Sequence, residues 1–202
     1  AHMESGSKPV ISGANILKDS DVWEKDGELY KIDLSDSNNF LIPKQGNWDY
    51  KNIGFIESES GEIYGNRKSS KEKLERQFDF YCEEQYLFIK SDQNPGEKLG
   101  KAKFMARNDL VKLSSNIILE GLDVRNTGAH GIVSKNSSIK NVYIKNCIVQ
   151  NIGGSLQDKV TFTRYGNGIE FWNQATDTLV ENTIIRNVFD AGYTFCLLYT
   201  SD

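Results

Sequence analysis

Tyr143-Ile144-Lys145-Asn146-Cys147-Ile148-Val149-Gln150-Asn151 decides the fold, because the chain writes this stretch three times. The earlier form is Ile118-Leu119-Glu120-Gly121-Leu122-Asp123-Val124-Arg125-Asn126, and the later form is Leu179-Val180-Glu181-Asn182-Thr183-Ile184-Ile185-Arg186-Asn187. Apolar residues recur at matching slots, and each unit closes on Asn. The first two units are offset by 25 residues and the next two by 36.

A second element follows each unit: His130-Gly131-Ile132-Val133, then Asn167-Gly168-Ile169-Glu170-Phe171, then Ala191-Gly192-Tyr193-Thr194. Upstream, Asp109-Leu110-Val111-Lys112-Leu113 fits the same slot. These steps are 21, 37 and 24 residues. Repeats of roughly 20–25 residues suit a stacked β architecture, so the long step carries an insertion, Ser155 to Tyr165. Insertions of this kind emerge as loops on one face, often the binding face.

Side chains alternate between strand faces with period two. Leu119, Leu122 and Val124 should therefore stack on Ile144, Cys147 and Val149, and these on Val180, Thr183 and Ile185. Asn tolerates the left-handed backbone of a sharp corner, so Asn126, Asn151 and Asn187 should form a ladder. The reading is all-β, a parallel β-helix or solenoid. An ordinary antiparallel protein with Asn-rich turns is the alternative. Helix fits worse, because the segments are short and β-branched.

Residues 21–98 read as a different, β-rich module inserted near the N-terminus. Trp23 to Ile32 forms a hairpin about Asp26-Gly27. Gly54–Glu57 and Glu62–Tyr64 are strand candidates. Ser69 followed by Glu72 fits a capping box opening a short helix to about Gln77. Phe78–Cys82 and Gln85–Ile89 read as a hairpin across Glu83-Glu84. Trp23, Trp48 and this aromatic hairpin are expected to supply the core rather than a sugar platform. Asn94-Pro95-Gly96 marks the passage onward. The expected organisation is 1–7 flexible, with Ala1-His2-Met3 as a cloning scar, then 8–18 as a partial repeat and 19–100 as the inserted module. Repeats follow over 101–195, and 196–202 form a non-native tail of the kind a sequencing adapter encodes. An exposed terminal repeat would invite self-association.

Of the 202 residues 38% are hydrophobic, and the net charge is −4. With a pI near 5.3 and a mean hydropathy of −0.51, the chain lacks the basic balance of a nucleic-acid binder. It has no apolar run of the ~20 residues that insert into a bilayer as a helix. Cys82, Cys147 and Cys196 show no metal-ligand spacing, and no cofactor or metal is implied.

Lys8-Pro9-Val10-Ile11-Ser12-Gly13, Leu87-Phe88-Ile89 with Asn94-Pro95, Gly128-Ala129-His130-Gly131-Ile132, and Tyr165-Gly166-Asn167-Gly168-Ile169-Glu170-Phe171-Trp172 carry a resemblance. Together with Asp190-Ala191-Gly192 they resemble secreted bacterial right-handed parallel β-helix proteins of the pectate-lyase-like superfamily. The resemblance covers most of residues 8–195. It implies a secreted or cell-surface protein acting on a polysaccharide or oligosaccharide, as hydrolase, lyase or non-catalytic binder, and a chain that is an internal fragment with little turnover of its own.

Candidate residues follow from the repeat register. Asp109, His130 and Asn167 share one outward slot and would be lateral neighbours on strands ~4.8 Å apart, a polar strip suited to sugar hydroxyls. Glu170 and Trp172 should also point outward, the indole able to stack on a pyranose face. Glu170 with Asp190 is the candidate catalytic pair, since glycoside hydrolysis needs two carboxylates. Their register leaves them far apart for that task. Arg164 and Tyr165 end the insertion and suit a substrate clamp. For a lyase the resemblance implies a Lys or Arg base, for which Arg125, Arg164 and Lys112 are available.

Overall fold

The computed structural model describes residues 7–17, 22–35, 52–135 and 138–195. Among them the strands run, in chain order, as β1 (Val10–Ser12), β2 (Ala14–Ile16), β3 (Glu24–Asp26), β4 (Leu29–Asp33), β5 (Ile53–Glu57), β6 (Tyr64–Arg67), β7 (Asp79–Glu83), β8 (Tyr86–Lys90) and β9 (Lys103–Ala106). They continue as β10 (Val111–Lys112), β11 (Ile117–Glu120), β12 (Asp123–Thr127), β13 (Ile132–Ser134), β14 (Ile139–Lys145), β15 (Ile148–Ile152), β16 (Ser155–Asp158), β17 (Thr163–Tyr165), β18 (Ile169–Phe171), β19 (Ala175–Glu181), β20 (Ile184–Val188) and β21 (Tyr193–Phe195). One short helix, α1, spans Pro95–Leu99. The protein is all-β in character, and its strands fall into two compact units.

The first unit comprises residues up to Gly13, Asn108–Gly153 and the chain from Tyr165 onward. It holds three sheets of parallel strands, ordered β11-β14-β19, β1-β12-β15-β20 and β10-β13-β18-β21. The chain visits them in the same sequence on each pass: β11, β12, β13, then β14, β15, β18, then β19, β20, β21. The predicted apolar stacks are in register. Leu119 pairs with Ile144 and Ile144 with Val180. Val124 pairs with Val149 and Val149 with Ile185. These side chains join Ile132, Ile169, Phe171 and Cys147 in one apolar cluster.

The corners are built from left-handed residues. Asn126, Asn151 and Asn187 have φ of 64°, 56° and 52°. The Asn151 amide donates to Asn126 Oδ1 at 3.1 Å, and Asn187 donates to Asn151 Oδ1 at 3.1 Å. This is the expected ladder. Two further corner columns were not anticipated. Asn116 and Asn141 (φ 61° and 57°) form a second ladder, with Asn141 donating to Asn116 Oδ1 at 2.8 Å. Gly121, Asn146 and Asn182 (φ 70°, 53° and 48°) form the third column.

Gly131 and Gly168 mark where strands approach most closely. A Cβ on Gly131 would lie 2.6 Å from Gly168 O, and one on Gly168 would lie 2.5 Å from Gly192 O and 2.7 Å from Ile185 Cγ2. Glycine here is a packing requirement between adjacent strands.

The second unit comprises Ala14–Arg107 and Gly154–Arg164. Its main sheet has eight strands in the order β2-β9-β5-β6-β7-β8-β4-β3. Its core contains Trp23, Ile32, Ile53, Ile56, Phe80, Leu87, Ile89 and Phe104, so Trp23 and the aromatic hairpin do supply it. Trp48, like residues 1–6 and 196–202, lies outside the described residues.

The structure shifts several boundaries. Residues 8–18 divide, because β1 pairs parallel with β12 in the first unit while β2 pairs antiparallel with β9 in the second. Residues 101–107 belong to the second unit, as do residues 154–164, which form most of the β16–β17 hairpin. The expected helix after Ser69 is only a 3-10 turn over Lys71–Lys73, preceded by Ser70 with no side-chain cap. Asp79 Oδ2 explains its early end by accepting the backbone N–H of Arg76 at 2.9 Å and of Glu75 at 3.2 Å. Helix α1 was missed, though Asn94 caps it through Gly96 N at 2.9 Å and Pro95 sits at its first turn, a recognisable start signal. Among the described residues no helix is long and apolar enough to cross a membrane.

Candidate functional site

The sheet β10-β13-β18-β21 brings Asp109, His130, Asn167 and Ala191 into one row. The register is set by backbone bonds from Leu110 N to His130 O, Gly131 N to Asn167 O, and Gly168 N to Ala191 O, all at 3.0 Å. The glycines after His130 and Asn167 permit this approach. Alternation along β18 sends Ile169 and Phe171 into the apolar cluster, so Glu170 and the following Trp172 leave on the opposite face.

Asn167 is the hub of the row. Its backbone N–H donates to His130 Nδ1 at 3.1 Å. Its amide oxygen accepts from Ala191 N at 3.0 Å. Its amide nitrogen donates to Glu170 Oε2, and that same oxygen lies 3.4 Å from His130 Nδ1. The Tyr165 ring meets the His130 ring edge-on at 5.0 Å between centroids. Lys135, which sequence reasoning did not single out, forms an ion pair with Asp109 Oδ2. Asp109 Oδ1 is buried without a hydrogen-bond partner among the described residues.

The row expected as a polar strip for sugar hydroxyls is largely buried. The Glu170 side chain is 7% exposed, Asp109 5% and His130 12%. Glu170, Asn167 and the Nδ1 side of His130 turn to one another, which is how buried polar groups limit a desolvation cost. Trp172 is the open member, at 49% exposure, and its backbone N–H is tied to Ser134 Oγ at 3.0 Å.

Burial lowers the His130 pKa below its ordinary 6.5, against the opposing pull of the Glu170 carboxylate. Asp109 and Asp190 also favour the imidazolium, while Lys135 disfavours it. The ring is therefore neutral at pH 7. With Nδ1 accepting from Asn167, the hydrogen sits on Nε2.

Of the remaining candidates, Asp190 borders this cluster and the arginines stand apart from it. Asp190 is exposed and donates its backbone N–H to Gly166 O at 3.3 Å. It lies between strands, after β20 and before β21, next to Ala191, whose N–H reaches Asn167 Oδ1. Arg164, expected as a clamp, donates to Gly154 O at 2.7 Å and Gly54 O at 3.1 Å within the second unit. Burial, then the Arg67 charge, lowers its pKa to about 10. Arg125 is paired with Asp123. Among the described residues no group of three or more His, Cys, Asp or Glu side chains is placed to hold a metal ion. Comparison with protein-family models, with curated proteins and with solved structures finds no match.

Proposed function

We propose that the first unit is a right-handed parallel β-helix of the pectate-lyase-like kind and that its β10-β13-β18-β21 face binds an oligosaccharide. The cyclic order of visits to three parallel sheets supports the first part. Parallel strands joined by crossovers are right-handed in nearly all cases. Fold alone does not assign activity, so the second part rests on the site. The observation that carries it is the Asp109–His130–Asn167 row, in which Asn167 is bonded to both His130 and Glu170, with half-exposed Trp172 just beyond it. The His130 Nε2–H, left over when Nδ1 accepts from Asn167, and the open Trp172 indole are the groups that would take a sugar hydroxyl and the apolar face of a pyranose. By this reading the protein is secreted or surface-exposed and its partner is a polysaccharide.

A hydrolase is the second reading, with Asp190 or Asp109 as the partner of Glu170. Asp190 and Asp109 both act on the His130 ring that the Glu170 carboxylate meets. The spacing of the pair would decide between ~5–5.5 Å for a retaining enzyme and ~6.5–9.5 Å for an inverting one. Asp109 stands two strands from Asn167, whose amide holds the Glu170 carboxylate. Two spacings of ~4.8 Å separate the Asn167 and Asp109 backbones by about 9.6 Å. A lyase has less support: of its three candidate bases, Arg125 and Arg164 are engaged with groups of the protein, and Lys112 is exposed on β10.

A panel of plant, algal and host oligosaccharides, followed by affinity measurement and product analysis, tests both. Binding weakened at least tenfold by Trp172→Ala, with no products, supports the binding reading. Products that vanish in Glu170→Gln and in Asp109→Asn or Asp190→Asn establish the hydrolase. A chain that binds nothing on the panel, with Trp172→Ala equally inert, overturns the proposal.

A further inference from the structure

His130 Nδ1 has two partners that cannot both be satisfied in one protonation state. The Asn167 backbone N–H, 3.1 Å away, requires Nδ1 to carry a lone pair. Glu170 Oε2, 3.4 Å away, attracts a proton on Nδ1. An imidazolium is a donor at both nitrogens and accepts from nothing. Protonation therefore replaces the Asn167 N–H bond by an ion pair to Glu170, and it sets two donors against each other at Nδ1.

Asn167 cannot absorb this quietly. Its carbonyl accepts Gly131 N, its amide oxygen accepts Ala191 N, and its amide nitrogen holds Glu170. Losing the His130 contact loosens the residue that aligns three adjacent strands. The charged and titratable groups around the ring are Glu170 on β18, Asp109 before β10, Lys135 after β13, Asp190 before β21 and Tyr165 at the end of β17. Nε2 has no partner among the described residues and is not among the buried unpaired atoms, so it faces the solvent side of the row.

We infer that this site is acid-switched: at neutral pH His130 offers Nε2–H to a ligand oxygen while Asn167 locks Nδ1, and acid breaks that lock by turning Nδ1–H toward Glu170. The inference rests on the glycan-binding reading for the identity of the ligand, but not for the switch. Burial, which holds the ring neutral at pH 7, keeps the site in its locked form there.

Imidazole nitrogen NMR on the full chain without ligand tests the switch directly. His130 and His2 are the two histidines, so a His130→Gln sample assigns the signals. The expected result is an Nε2–H tautomer at neutral pH and a His130 midpoint below the ordinary 6.5. The Asn167 backbone amide should move with that same midpoint. In Glu170→Gln the midpoint should fall further, because the anion favouring imidazolium is gone. An Nδ1–H tautomer at neutral pH, a midpoint at or above 6.5, or an Asn167 amide indifferent to the titration overturns the inference. Failure of every glycan to bind at any pH would sink the glycan reading and leave these spectra untouched.

Discussion

The two units use the same secondary structure to opposite effect. In the first, each apolar residue stacks on its counterpart from the previous pass, as Leu119, Ile144 and Val180 do. In the second, strands far apart in sequence meet without repetition, as when Asn15 reaches Phe104 O at 3.4 Å across 89 residues. The first unit spreads its stability over columns of equivalent contacts. The second concentrates it in one aromatic-rich core around Phe80 and Phe104. Repetition thus makes local damage local, and its absence makes the second unit depend on single residues.

The largest effect should come from that concentrated core. Phe80 is fully buried, and Phe80→Ala should destabilise the second unit by about 4 kcal/mol, the loss of a large ring plus a cavity. Hydrogen exchange read strand by strand checks this. Protection should collapse over β4, β5, β7 and β8 and persist in the columns of β12 and β15. Equal loss in both units would mean that the division has no energetic meaning.

Gly168→Ala should come next, at about 3 kcal/mol, because the new methyl meets Gly192 O and Ile185 Cγ2 inside contact distance. Gly27→Ala in the β3–β4 turn is the control. Its Cβ meets nothing within 4 Å, and only the positive φ of 62° opposes it, for about 1 kcal/mol. Urea unfolding of both variants ranks them. If Gly27→Ala proved the costlier, close strand approach would not govern the first unit.

The corner ladder should rank below Gly168. Asn151 donates to Asn126 and accepts from Asn187 while holding φ at 56°. Asn151→Ala loses both bonds and strains the backbone, for about 2 kcal/mol, whereas Asn151→Gly relieves the strain and loses the bonds alone, for about 1 kcal/mol. A Gly variant as damaged as the Ala variant would show that backbone strain at φ 56° contributes little to the corner.

These contrasts also explain what the sequence could disclose. The repeat made the first unit's register legible down to the pairing of Val124, Val149 and Ile185, because a stacked slot constrains three residues at once. The Asn126 column was visible since all three members are Asn. The column of Gly121, Asn146 and Asn182 was hidden because glycine and asparagine meet the same backbone demand. The second unit gave up its hairpins, whose turns are local, but not its strand order, which no local signal encodes. At the candidate site, period-two alternation told which face Glu170 leaves by. It could not tell that the carboxylate would fold onto Asn167 and His130 and be nearly sealed from water. Lys135 carried no signal, because its tie to Asp109 joins residues on different passes.

The smallest predicted effect is the one that joins stability to the site. His130 binds its proton less readily folded than unfolded, chiefly because it is buried. The folded chain therefore holds fewer protons than the unfolded chain across the titration, and stability rises with pH there. The His130 contribution is complete above the ordinary 6.5 and is lost as pH falls from that point through the lower folded value. Carboxylates titrate lower and contribute in both units, so the comparison must be differential. Between about pH 7.5 and about pH 5, wild type should lose more unfolding free energy than His130→Gln, whose side chain has no proton to gain. The difference should appear in the exchange protection of β13 and β18, and not in β7 and β8. An identical loss in the two proteins would show that acid acts on the fold through its carboxylates alone.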